Sequence, residues 1–171
     1  MYNPFRKTYG TAELRQFKFL SRVKFFEQLR YSEMIRFLPA IHKRKFQKDE
    51  VVFFRKDPSQ ALYILEKGKV RLTIDIKGQF ETILELHAGS PFGENSLLKG
   101  CKRIYTSIVD SEDAEIWVIP HFAIQEIFEN HPKIQAKMLN SLAEFYNDNN
   151  ARLFSSYQSS YGFFNLGQMF Q

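Results

Sequence analysis

The residues with the most chemistry to offer lie between Pro91 and Arg103, in the run Pro-Phe-Gly-Glu-Asn-Ser-Leu-Leu-Lys-Gly-Cys-Lys-Arg. Phe92, Gly93 and Glu94 follow a strand-like stretch (Thr82 to Leu86) and a loop (His87 to Ser90). They open one short helical turn whose apolar pair is Leu97 and Leu98. Gly93 has no Cβ, so another group can come close to its backbone. The first turn of a helix leaves N–H groups without internal partners, and such groups attract an anion. Arg103, eleven residues after Phe92, brings a planar, permanently charged fork that suits two phosphate oxygens. Glu94, on the rim of the turn, can accept a hydrogen bond from a sugar hydroxyl. Ser96 and Thr106 add hydroxyl donors. The expectation is a small cradle for a sugar phosphate.

This stretch resembles the phosphate-binding cassette of cyclic nucleotide-binding domains, which runs Phe-Gly-Glu, a hydrophobic residue, Ala, two apolar residues, a short loop and Arg. Phe92-Gly93-Glu94, Leu97-Leu98 and Arg103 match it in type and spacing. The resemblance extends from about Phe19 to about Leu153. It implies a bound cyclic nucleotide, cAMP before cGMP, held by Phe92, Gly93, Glu94, Asn95, Ser96, Arg103, Ile104, Tyr105 and Thr106. Glu94 would take the ribose 2′-hydroxyl and Arg103 the cyclic phosphate. It implies a cytoplasmic sensory or regulatory module in signal transduction, not an enzyme. Such a module acts through an unknown protein partner, or as a homodimer paired along its C-terminal helix.

Bacterial regulators related to the catabolite activator protein follow that helix with a helix-turn-helix domain. Only about twenty residues follow here, so DNA binding by this chain alone is not expected. The chain departs from the family pattern at Asn95, Ser96, Lys102, Ile104 and Tyr105, where an apolar residue, Ala, Pro and two small residues are usual. A tyrosine at that place crowds the base or the phosphate. It motivates a second expectation: a degenerate domain that has lost nucleotide binding and keeps its architecture for protein–protein contact.

The elements that position the cassette read clearly. Residues 1–44 form an N-terminal helical segment after an irregular lead-in over 1–10. Thr11 caps a helix carrying Leu14, Phe17 and Leu20, and a second helix runs from Ser32 to Pro39. From 45 to 119 the period is two, with strands expected at Val51–Arg55, Ala61–Glu66, Lys69–Ile76, Phe80–His87, Ile104–Asp110 and Ala114–Ile119. Turn signals stand at Asp57-Pro58, Lys67-Gly68 and Lys77-Gly78. Short, closely spaced strands without intervening helices predict a mainly β fold, an antiparallel jelly-roll barrel with flanking helices. Residues 120–154 return to a helical period. One helix ends at Asn130, and another starts at Pro132 and weakens at Asn147–Asn150. Residues 155–171 read as a tail rich in aromatics and serine.

Composition narrows the remaining classes. The chain has 171 residues, 44% of them hydrophobic, and a formal net charge of +5. Residues 1–56 carry 14 Lys/Arg against 5 Asp/Glu, and the rest 10 against 14. Because the basic residues alternate with Phe17, Phe19, Leu20, Phe25 and Phe26, they read as solvated faces of amphipathic helices. No apolar run approaches the ~20 residues of a membrane span. His42, His87, His121 and His131 lack metal-ligand spacing, which counts against a metal-dependent barrel enzyme. Cys101, with basic neighbours but no adjacent histidine, reads as a bystander. It is the single cysteine, so no internal disulfide can form.

Overall fold

Two strands, β3 (Ala61–Lys67) and β8 (Asp113–Pro120), are buried on both faces and set the layering. Side chains alternate across a strand. Leu62, Ile64, Trp117 and Ile119 therefore face one way, into a core shared with the helices. Leu65, Ala114 and Ile116 face the other way, into a core between two sheets.

A computed structural model describes residues 8–161. Helices α1 (Thr11–Leu20) and α2 (Tyr31–Met34) and a short 3-10 turn (Leu38–Ala40) precede β1 (His42–Gln47) and β2 (Val51–Phe53). After β3 come β4 (Val70–Ile76), β5 (Gln79–Leu86), β6 (Pro91–Phe92), a second 3-10 turn (Glu94–Leu97) and β7 (Thr106–Val109). Helices α3 (His121–Asn130) and α4 (Pro132–Tyr161) follow β8. The strands form two four-stranded sheets, β1-β8-β3-β6 and β2-β7-β4-β5, with every pairing antiparallel. This is the jelly-roll architecture expected, built as two facing sheets rather than one closed ring of strands.

The outer core is rich in phenylalanine. Phe17, Phe25, Phe26 and Phe37 from the N-terminal segment meet Ile124, Phe128, Ile134 and Met138 from α3 and α4. Lys137 of α4 ties the two helical groups together through Glu33 of α2, at 2.6 and 2.9 Å.

Several boundaries differ from the sequence reading, each for a physical reason. β1 begins in the stretch read as helical and runs on past residue 44, ahead of the first strand expected at Val51. Its sequence His-Lys-Arg-Lys-Phe-Gln buries only Phe46, so it shows no apolar alternation. It is an edge strand, and lysines suit an edge. The second helix stops at Met34 and gives way to turns before Pro39. Gly10 rather than Thr11 caps α1, with its N–H donating to Glu13 at 2.8 Å. The asparagines at 147–150 do not end α4, which runs on to Tyr161 and absorbs the start of the stretch read as a tail. Along it, serine hydroxyls donate back to the carbonyls of Ala151 and Ser156, which satisfies polar groups without leaving the helix. Residues 1–7 and 162–171, including most of the expected tail, lie outside the described residues.

Candidate functional site

β6 delivers Phe92 into the inter-sheet core, and Gly93 then turns the chain with φ of 68°. That left-handed conformation is open to glycine at little cost. The turn Glu94–Leu97 follows, its residues all buried. From Cys101 the chain returns beside the β2–β3 connection. Ser59 N–H donates to Cys101 O at 2.9 Å, Arg103 N–H to Asp57 O at 2.8 Å, and Lys56 N–H to Arg103 O at 2.9 Å.

Arg103 does not reach outward. It is only 4% exposed, and its fork is spent on the chain itself. Nη1 donates to Gly93 O at 2.9 Å and to Asn95 Oδ1 at 3.2 Å, and Nη2 donates to Ala61 O at 2.7 Å. The guanidinium carbon lies 4.2 Å from the ring centre of Phe53 and 5.4 Å from that of Tyr63. Burial favours the neutral form and pulls the guanidinium pKa below its ordinary value. The space beside Gly93 is filled by this fork: a Cβ there would meet Arg103 Nη1 at 2.5 Å.

Tyr105 takes the rest of the cradle. Its hydroxyl accepts the Gly93 N–H at 2.9 Å and donates to Glu94 Oε2 at 2.8 Å. These are the two groups expected to hold a phosphate and a ribose. The ring packs with Phe53 at 5.7 Å between centres, in a cluster with Tyr63 and Phe92. Burial, followed by the Glu94 charge, pushes the phenol well above its usual pKa, so it stays protonated and able to donate. The hollow left beside this cluster, lined by Val51, Phe53, Asp57, Gln60, Tyr63 and Arg103, measures about 270 Å3. Small-molecule pockets run from roughly 300 to 1,000 Å3.

The other expected site residues fall into three groups. Asn95 bridges: its Oδ1 accepts Ser59 Oγ at 2.7 Å as well as Arg103, and its Nδ2 donates to Lys102 O at 2.6 Å. Ser96 and Thr106 are buried but do not line an opening. Ser96 Oγ has no partner, and Thr106 Oγ1 accepts Arg55 N–H at 3.0 Å. Ile104 is 59% exposed and lies outside the cradle, while its neighbour Tyr105 is buried within it. Two departures from the family pattern, Asn95 and Tyr105, are thus the residues that hold Arg103, Gly93 and Glu94 in place.

Sequence reasoning did not single out Phe53, Tyr63, Ser59 or Ala61. The usable signal was parity. Phe53 sits two residues from Val51, and Tyr63 two from Ala61 and Leu65, so both rings turn towards the sheet partner. His121 and Gln125 of α3 were also missed. They hold the carbonyls of Ser96 and Leu97 at 2.6 and 3.2 Å and couple the cassette to the C-terminal helices. On α4, Tyr146 has its pKa raised by burial and next by the Glu94 carboxylate. Cys101 donates only to Lys99 O, at a long 3.8 Å. Among the described residues no cluster of metal-ligating side chains occurs, and no helix is long and apolar enough to cross a membrane.

Comparison with known proteins bears on the family and the fold. A sequence profile for the cyclic nucleotide-binding domain matches residues 43–131. The global nitrogen regulator of Nostoc sp. is 30% identical over 101 residues, covering 57% of this chain and 45% of that protein. The cyclic AMP receptor protein of Thermus thermophilus is 38% identical over 80 residues, covering 46% of this chain and 37% of that one. The chain thus spans less than half the length of these relatives. The crystal structure of the Thermus thermophilus catabolite activator protein superposes with a TM-score of 0.65 at 26% identity, covering 79% of this chain and 64% of that one.

Proposed function

The chain belongs to the cyclic nucleotide-binding domain family, and from that premise we propose a regulatory module whose cradle is held shut by Tyr105 and Arg103. It works through contact with a second copy or a partner protein. The observation that carries this reading is the Tyr105 hydroxyl, bonded at once to Gly93 N–H and Glu94. A cyclic nucleotide has to break both bonds and drive the ring from its aromatic cluster. Burying such a ring contributes about 1.5–3 kcal/mol, and each net hydrogen bond about 1 kcal/mol. A displacement cost of about 3.5–5 kcal/mol lowers apparent affinity by about three orders of magnitude. The surface for a second copy would be α4. Beyond Tyr146 its described side chains are largely solvent-facing, with Leu153 60% exposed.

A second reading has one observation in its favour: Gly93, Glu94 and Arg103 stay within a single cradle. In that reading the nine residues named from the resemblance grip a cyclic nucleotide after Tyr105 swings out. Ile104 offers no hydroxyl to a guanine, so cAMP is the first candidate. Calorimetry and melting curves with cAMP and cGMP on the wild type and Tyr105→Ala separate the two. The closed reading expects the wild type to bind about three orders of magnitude more weakly than Tyr105→Ala, read as little heat and little melting shift at ligand concentrations that saturate the variant. Saturating ligand at ~100 Kd adds about 2.7 kcal/mol to the stability of a true binder, and a wild-type gain of that size overturns closure. A folded Tyr105→Ala that takes no nucleotide removes Tyr105 as the cause.

A further inference from the structure

On the far side of the fold from the inter-sheet core, two cavities of about 520 and 410 Å3 adjoin between the N-terminal segment and α3–α4. They share Arg36, Asn130 and His131 as walls and so make one groove with two chemically different ends. At one end the apolar lining is Pro39, Ala40, Pro120, Phe122, Ala123 and Ile127, with His42 and Glu126 beside it. Phe122 is 73% exposed, more than any other large apolar side chain described. It stands on the outer face of α3 while Ile124 and Phe128 enter the core. Arg36 stands at the junction of the two cavities, and Lys133 lines the other end together with Ser32 and the start of α4.

These two cations are uncompensated. Neither takes part in any ion pair among the described residues. The acid beside them, Glu33, is committed to Lys137. Glu126 is the one other carboxylate on the walls, and it lines only the larger cavity.

We propose that this groove is a docking site for an extended segment of a partner protein, one that places an apolar side chain over Phe122 and acidic side chains at Arg36 and Lys133. An apolar anchor at one end and unpaired positive charge at the other match that order of residues. Nucleic acid and anionic lipid fit less well. Both present a continuous array of phosphates, whereas half of this groove is apolar and carries Glu126. The inference goes beyond the reading of the cradle and stands whether or not Tyr105 blocks nucleotide.

The test uses the full chain and a labelled peptide carrying a phenylalanine followed by aspartates, with a twin in which lysines replace the aspartates. Fluorescence anisotropy is read on the wild type, Arg36→Glu and Phe122→Ala, all exposed positions. The acidic peptide binds the wild type, and its affinity falls as ionic strength rises. Affinity drops by about tenfold or more in either variant, while Arg36→Glu reverses the preference towards the lysine twin. Equal binding of the twins, or affinity unmoved by both substitutions, overturns the proposal. So does a result in which phosphatidylserine vesicles or a DNA duplex bind and are lost with Arg36→Glu while the peptide does not bind.

Discussion

The cassette and the groove hold the same kinds of residue and treat them in opposite ways. In the cassette, an arginine, a carboxylate, a glycine N–H and an asparagine all find partners inside the chain, and only Arg103 Nε among their buried side-chain atoms is left over. In the groove, Arg36 and Lys133 are exposed and have no ion-pair partner among the described residues. A buried polar group must be satisfied or it costs free energy. A cradle that satisfies itself is therefore part of the fold's stability. A groove that leaves exposed charge uncompensated adds nothing to stability and keeps its capacity for a partner. The contrast teaches that a recognisable motif and an available site are separate properties.

The sharpest way to break this contrast is to treat Arg103 as a ligand residue and delete it. Arg103→Ala strands the carbonyls of Gly93 and Ala61 in the interior and removes the cation from between Phe53 and Tyr63. The expected loss is about 3–5 kcal/mol, seen as a large drop in urea midpoint. An arginine waiting for a ligand would leave the midpoint nearly unchanged. Gly93→Ala comes next, at about 2–4 kcal/mol. The new Cβ meets Arg103 Nη1 at 2.5 Å and the backbone sits at φ +68°, so two separate penalties add. A midpoint within error of wild type would mean that the fork can leave the glycine freely.

How much of this was legible beforehand follows from the same physics. The architecture was, because period-two runs and turn residues are local signals, and the cassette was, because its spacing is contiguous. β1 was hidden because a charged edge strand buries one side chain. α4's continuation past residue 154 was hidden because propensity is a weak prior beside a long helix already nucleated. The fate of Arg103 was not legible from the cassette at all. It depends on Asn95, which the motif marks only as a departure, and on Phe53, Ala61 and Tyr63, which lie some forty or more residues upstream. Tyr105 was visible as bulk, but its two hydrogen bonds needed three dimensions.

Tyr105→Phe sharpens the contrast at a smaller scale. The ring and its packing stay, while Gly93 N–H and the buried Glu94 carboxylate lose their shared partner. A cost of about 1–3 kcal/mol is expected in the denaturant midpoint, and a neutral substitution would show that water reaches both groups. Because the Tyr105 pKa is raised on folding, its stabilisation is complete below the ordinary phenol value of 10.0 and lost as pH rises beyond it. The wild type should therefore lose more stability across that alkaline range than Tyr105→Phe, in which Tyr146 still carries a phenol raised by burial.

The bridge between α2 and α4 gives a weaker effect with the opposite sign in pH. Burial acts to raise the Glu33 pKa, but the Arg30 N–H and Lys137 outweigh it and the net shift is downward. The folded state thus holds the proton less tightly than the unfolded chain. Its stabilisation is present above the ordinary glutamate value of 4.5 and lost as pH falls through the lower folded value. Glu33→Gln should cost about 1 kcal/mol near pH 7 and progressively less as pH falls below 4.5, so the gap between the two urea midpoints narrows in acid. A constant gap would locate the effect in packing rather than charge.

Arg36→Glu should do least to the fold, and that is its value. The side chain is exposed, holds no ion pair among the described residues, and lines the groove rather than the core, so its stability change should stay within about 0.5 kcal/mol. Set against the several kcal/mol at Arg103, that outcome separates one arginine the fold depends on from one it leaves available. Should Arg36→Glu instead lower the melting temperature as Arg103→Ala does, the groove would be a structural joint between the helical segments and not a free surface. The loss of acidic-peptide binding in that variant would then report unfolding. A circular-dichroism melt of Arg36→Glu beside the wild type decides between the two before any peptide is added.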